Sequence, residues 1–118
     1  MLFRSNTVST AFKNDIPFLV IGGGSNLLIS DNAYDGLIIK INIKGIKLLD
    51  NSVIECGAGE ELMSLINFAT DNSLQGLEFA AGIWGSVGGA VYGNAGAYGG
   101  EIKDVITEIQ LLDRKSVV

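Results

Sequence analysis

The sequence predicts an α+β fold in two small subdomains, about residues 1–42 and 43–118. Three observations lead there. Short β-branched runs, "IPFLVI" at 16–21 and "LIIKINI" at 37–43, have strand length and composition. A single strong amphipathic helical pattern occupies 60–72. Between the apolar segments, glycine is concentrated in two places, "GGGSN" at 22–26 and "GIWGSVGGAVYGNAGAYGG" at 82–100.

Each element has its own reason. Ala11, Phe12 and their polar neighbours suit a short helix that ends before Asp15-Ile16-Pro17. Pro17 stands near the start of a buried strand, where a missing N–H is tolerated. After the glycines, "LLIS" at 27–30 is a short apolar segment, and Asp31 to Gly36 is a loop by composition. Leu37 to Ile43 follows as a strand. Ile46–Leu49 and Val53–Cys56 flank Asp50-Asn51-Ser52, which carries turn chemistry, so a hairpin is expected. Leu62, Leu65, Ile66 and Ala69 fall at i, i+3, i+4 and i+7, and Glu60 and Glu61 suit the positive end of that helix. "DVITEIQLLD" at 104–113 alternates as a strand would. Asp113 to Ser116 then reads as a turn, and Val117 and Val118 as the start of a return strand. A hairpin interrupted there leaves an unpaired edge, so the chain is expected to be a piece of something longer.

Bulk properties narrow the function. The 118 residues are enough for one modest domain with a core. Hydrophobic residues make up 47%, yet no apolar run reaches the roughly 20 residues of a membrane span. "MLFRSNTV" lacks the organisation of a signal peptide. Net charge is −5, which disfavours nucleic acid as a partner. Cys56 is the sole cysteine and histidine is absent, which excludes an internal disulfide, the usual zinc sites and a histidine triad. A cytoplasmic location is expected. Any chemistry must use other groups or a cofactor.

The glycine segments are where chemistry is to be sought. Consecutive N–H groups in a glycine turn form an anion-binding nest, and Ser25 and Asn26 add neutral donors. "GGGSN" alone leaves a phosphate cradle and a plain tight turn both open. It is no P-loop, because no G-K-S/T follows, and a Rossmann fingerprint would need glycine where Leu27 stands. In the second segment Gly82, Gly85, Gly88 and Gly89 surround Ser86. A flexible linker is excluded there, because Ile83, Trp84, Val87, Val91, Tyr92 and Tyr98 need burial. Two such loops suit a dinucleotide pyrophosphate gripped along its length. Close packing of backbones is the other reading.

"IPFLVIGGGSNLLISD" and "LEFAAGIWGSVGGAVYGNAGAYGGEIKDV" closely resemble the FAD-binding region of the UDP-N-acetylenolpyruvoylglucosamine reductase family, which has the vanillyl-alcohol-oxidase type of flavoprotein fold. The resemblance extends from about Ile16 onward. It implies that Gly22, Gly23, Gly24, Ser25, Asn26 and Leu27 form the loop on the FAD pyrophosphate. It assigns Gly82, Ile83, Gly85, Ser86, Val87 and Gly88 to a second FAD loop. Asn94, Ala95, Gly96, Ala97 and Tyr98 match the turn that continues around the cofactor. In such reductases FAD carries hydride from NADPH to the enolpyruvyl group of a UDP-sugar, giving UDP-N-acetylmuramate for peptidoglycan. The family's catalytic arginine, serine and glutamate lie beyond the residues represented here, so no catalytic residue is assigned, and the chain alone is expected to be inactive. The alternative is a truncated, non-catalytic nucleotide-binding or inert module.

Two positions depart from the family pattern. Trp84 replaces the usual proline and is expected to pack under its loop, and Gly93 replaces a larger residue. Elsewhere the bland reading is preferred. Ser25 and Ser86 lack a base, Cys56 reads as a small buried residue, and Glu78 as a loop anchor. Lys40, Lys44 and Lys47 read as a solvated edge.

Overall fold

A computed structural model describes residues 2–50 and 52–112. Helix α1 covers Leu2–Lys13, longer than the short helix expected, and stops ahead of Asp15, where φ is +52°. Strand β1, Phe18–Ile21, pairs in parallel with β2, Leu37–Lys40, with Phe18 opposite Leu37 and Ile21 opposite Lys40. The crossover over 22–36 contains no helix, and both glycine loop and "LLIS" lie within it. Leu27 to Ser30 is unpaired and exposed, Leu28 completely so. β2 ends before the predicted Ile43, although Ile41 N–H still donates to Ile21 C=O at 2.9 Å.

The expected hairpin forms from β3, Ile46–Asp50, and β4, Val53–Cys56, antiparallel with an irregularity between Leu48 and Asp50. Asn51, in its turn, lies outside the described residues. Helix α2, Leu62–Asp71, buries Leu62, Ile66 and Ala69 as the periodicity requires. A 3₁₀ turn follows at Glu78–Ala80, then α3 at Val87–Tyr92. Strands β5, Gly96–Ala97, and β6, Gly100–Glu101, form a minimal antiparallel hairpin, and a second 3₁₀ turn covers Ile102–Asp104.

The core is small. Leu62, Ile66, Ala80, Ala90 and Ile102 form one buried cluster, with Leu65, Phe79, Ile83 and Val87 packed around it. It binds α2, α3 and the two 3₁₀ turns into one body. Ala80 has no exposed surface, because the turn carrying it packs against α2 and the β5–β6 hairpin.

The predicted strand over 104–113 does not form over 104–111; Leu112 takes part in a β-bridge, and Asp113 lies outside the described residues. Ile102–Asp104 is a 3₁₀ turn, and 106–111 follows without regular structure. At its start, Asp104 accepts from Glu101 N–H at 3.0 Å, and the two form a capping box on the 3₁₀ turn, which takes Asp104 out of the extended chain expected. The turn expected at 113–116 and the return strand at 117–118 lie outside the described residues.

Candidate functional site

The first glycine loop leaves the carboxyl end of β1, the end of a parallel strand where α/β folds characteristically receive ligands. The second is built on the start of α2. Leu62 N–H donates to Gly85 C=O at 2.9 Å, Val87 N–H to Glu60 C=O at 2.8 Å, and Gly88 N–H to Ala58 C=O at 2.8 Å. Residue 86 pairs with Glu61 in an antiparallel bridge. Glu61, at the N-cap of α2, makes no side-chain cap bond, so the loop backbone itself satisfies the first helical N–H.

The two loops meet. Ser25 Oγ–H donates to the Trp84 carbonyl at 2.8 Å, across 59 positions of sequence. A Cβ on Gly23 would stand 3.5 Å from Gly85 Cα, and one on Gly22 would collide with the Ser86 hydroxyl. A Cβ on Gly23 would thus make ordinary contact with the Gly85 backbone, whereas at Gly22 part of the glycine content is explained by close approach. The rest is not. Gly24 has φ +80° and Gly82 φ +88°, and the space where a side chain would begin is empty at both. These positions need glycine for conformation and leave their surroundings open. Close packing therefore accounts for Gly22 and Gly88 but not for Gly24 and Gly82.

The other predicted positions divide by role. Asn26 is exposed, and its side chain has no partner among the described residues, while Leu27 N–H closes a turn onto Gly24 C=O at 3.2 Å. Ser86 is buried and caps α3 by accepting from Gly89 N–H at 3.2 Å. Ile83 and Val87 pack on the core. Gly88 lies against Ala58, where a Cβ would come within 2.9 Å.

The 94–98 segment is a structural knot. Asn94, at φ +45°, accepts from Lys103 N–H at 3.0 Å and donates to Glu101 Oε2 at 2.9 Å. Ala95 N–H donates to Ala90 C=O, and Ala95 C=O accepts from Ile102 N–H. Gly96 and Ala97 form β5, and the following Tyr98 and Gly99 have the two positive φ values that a tight hairpin turn of this twist requires. No hydrogen bond joins this knot to 22–27 among the described residues. Asn94 also lines a recess of about 250 Å³ with Val91, Lys103, Ile106 and Ile109, away from the glycine loops.

Three aromatics differ from expectation. Trp84 is 86% exposed, Tyr92 97% and Tyr98 94%. Trp84 does not pack under its loop. Gly82 and Gly85, two residues before and one after it, have positive φ, and its carbonyl accepts from the Ser25 hydroxyl.

Charged groups serve the scaffold. Glu60 accepts from Gly45 N–H at 2.7 Å and faces Lys44, and these hold its carboxyl below the usual range. Lys44 also donates to Gly59 C=O at 2.6 Å, so of the supposed solvated lysines it is a tether. Lys47 pairs with Glu55 across the hairpin at 3.0 Å. Glu78 accepts from Gly76 N–H at 2.8 Å, the loop anchor expected. Glu101 pairs with Lys103 and accepts from Asn94, which lowers its pKa. Burial, with the nearby Glu60 charge, pushes the Cys56 thiol up to about 11, as suits a packing residue. The sequence offered no signal for the Ser25–Trp84 or Glu60–Gly45 contacts, since both join residues far apart in the chain.

Two glycine loops are thus latched to each other at the end of a parallel strand in an α+β domain. The chain belongs to the FAD binding domain family, which matches residues 5–118. Two curated relatives are UDP-N-acetylenolpyruvoylglucosamine reductases. That of Clostridium beijerinckii is 48% identical over 109 residues, 91% of this chain and 35% of the relative. That of Syntrophomonas wolfei is 51% identical over 102 residues, 85% of this chain and 34% of the relative. The crystal structure of UDP-N-acetylenolpyruvylglucosamine reductase from Thermus caldophilus superposes with a TM-score of 0.63 at 34% identity, covering 85% of this chain and 36% of that one. The chain spans about a third of the length of the curated relatives it matches. No helix among the described residues is long and apolar enough to cross a membrane.

Proposed function

We propose that this chain holds FAD between its two glycine loops, as part of a reductase that acts on UDP-N-acetylglucosamine enolpyruvate in peptidoglycan synthesis. The observation that supports the reading is the Ser25–Trp84 hydrogen bond, which joins the loop of Gly24 to the loop of Gly82, each with open space where a Cβ would stand. The cradle suits a pyrophosphate, because it offers backbone N–H groups and the unpartnered Asn26 amide, with close backbone approach at positions that lack a Cβ. When bound, the flavin supplies hydride transfer from NADPH to the enolpyruvyl double bond. The chain's own share is positional. Residues 22–27 would hold the pyrophosphate, 82–88 would support it from α2, and the 94–98 turn would continue the wall. The boundary near residue 42, between the parallel β1–β2 pair and the antiparallel elements, is proposed as the division between two subdomains that flank the cofactor. A cytoplasmic site of action follows from the UDP-sugar substrate.

Gly24→Val tests the cradle. A β-branched residue is strained at φ +80° and fills the open side. FAD titration of the 118-residue chain should show binding lost, with far-ultraviolet circular dichroism nearly unchanged. Equal FAD affinity in variant and parent would remove the pyrophosphate assignment.

A further inference from the structure

We propose that Trp84 stacks its indole on a planar ring of the bound dinucleotide, as an addition that this chain makes to the cradle. The inference rests on the FAD reading above and concerns a residue which that reading leaves unused. Three observations support it. The indole is 86% exposed, and its N–H has no partner among the described residues, an unusual state for the chain's single tryptophan. It is nonetheless anchored, because its own carbonyl accepts the Ser25 hydroxyl at 2.8 Å, and the next residue, Gly85, lies against Ser25 Oγ. The residue that latches it, Ser25, directly follows Gly24, whose Cβ position is open. A large aromatic, exposed but fixed at its base beside a cradle for a dinucleotide, is placed to give π-contact at little cost in ordering.

The ring chemistry has two sources in FAD, adenine and isoalloxazine, and both are planar π-systems. Titrations with FAD, ADP and FMN separate them. The variants are Trp84→Ala and Trp84→Phe. Neither touches the Ser25 latch, which uses the backbone carbonyl, and neither removes a buried group, so both should fold as the parent does. Trp84→Ala should weaken FAD roughly three- to tenfold, the scale of one aromatic contact, and Trp84→Phe should recover most of that loss. A parallel loss for ADP with FMN unaffected assigns the contact to adenine, and the reverse pattern assigns it to the flavin. In the second case flavin fluorescence should also be quenched on binding the parent and recover with Trp84→Ala. Equal FAD affinity in parent and Trp84→Ala overturns the stacking and leaves the cradle standing. Failure of the parent to bind FAD overturns both.

Discussion

At the residue scale, glycine is used in two opposite ways within a few positions. Gly22 leaves room for the Ser86 hydroxyl, whereas Gly24 supplies a positive φ beside open space. Substitution should separate these roles. Gly22→Ala drives a methyl into the buried Ser86 hydroxyl that caps α3, so thermal stability should fall along with FAD binding. Gly24→Val should lose binding with little change in melting. A differential melting comparison of the two variants, with and without FAD, checks the distinction. Cys56 gives an independent test of burial. Its thiol is raised from 9.0 to about 11, so alkylation by iodoacetamide at pH 8 should be on the order of a hundredfold slower in the folded chain than in urea, and should accelerate as pH approaches 11. Rapid labelling of the folded chain at pH 8 would show that β4 exposes this side chain.

At the element scale, α2 organises the molecule. Its apolar stripe supplies Leu62 and Ile66 to the core, and its N-terminus receives the second glycine loop. Leu62, only 1% exposed, stands where both functions meet. Leu62→Ala should cost about 2–5 kcal/mol by urea unfolding, whereas Met63→Ala, on the exposed face, should stay within about 0.5 kcal/mol. Comparable losses at the two positions would mean that the helix is not seated as described. The approach to α2 is secured by Glu60. Its carboxyl has a lowered folded pKa, through the Gly45 N–H first and Lys44 next, so its contribution is complete above the ordinary value of 4.5 and is lost as pH falls below it. Glu60→Gln should therefore flatten the acid side of the stability profile while leaving stability near pH 7 less affected. An unaltered acid profile would show that the tether between Gly45 and α2 contributes nothing to folding.

At the scale of the whole molecule, the chain is extended and unevenly covered. Its radius of gyration is 15.7 Å, against about 13.5 Å for a compact domain of this length. Parallel sheets are ordinarily covered on both faces, yet Leu19 and Val20 of β1, which point to opposite sides, are 43% and 49% exposed. The 118-residue chain should accordingly bind an apolar dye such as anilinonaphthalene sulfonate while showing native circular dichroism, and dye binding should be absent if these faces are occluded in solution. Turnover should be absent as well. No catalytic residue is assigned within the chain, which spans about a third of the reductases it matches, so NADPH oxidation dependent on the UDP-enolpyruvyl sugar should equal a free-FAD control. Oxidation clearly above that control would place catalytic groups within these residues.

Local patterning was enough for much of this. The i, i+3, i+4, i+7 spacing over 62–69 determined α2 and its buried face, because burial of a helix stripe depends on periodicity within a few turns. β-branched runs and turn chemistry likewise determined β1, β2 and the β3–β4 hairpin, and glycine density marked both loops of the candidate site. The alternation over 104–111 misled, since Asp104 is drawn into a 3₁₀ turn and 106–111 finds no strand to pair with among the described residues. Tertiary structure alone decided which glycines pack and which stay open, and that Trp84, Tyr92 and Tyr98 face outward. It alone joined Ser25 to Trp84 and Glu60 to Gly45. The physical reason is range: periodicity and turn preference are set by neighbours in sequence, whereas a glycine's use and an aromatic's burial depend on which distant backbone arrives beside it.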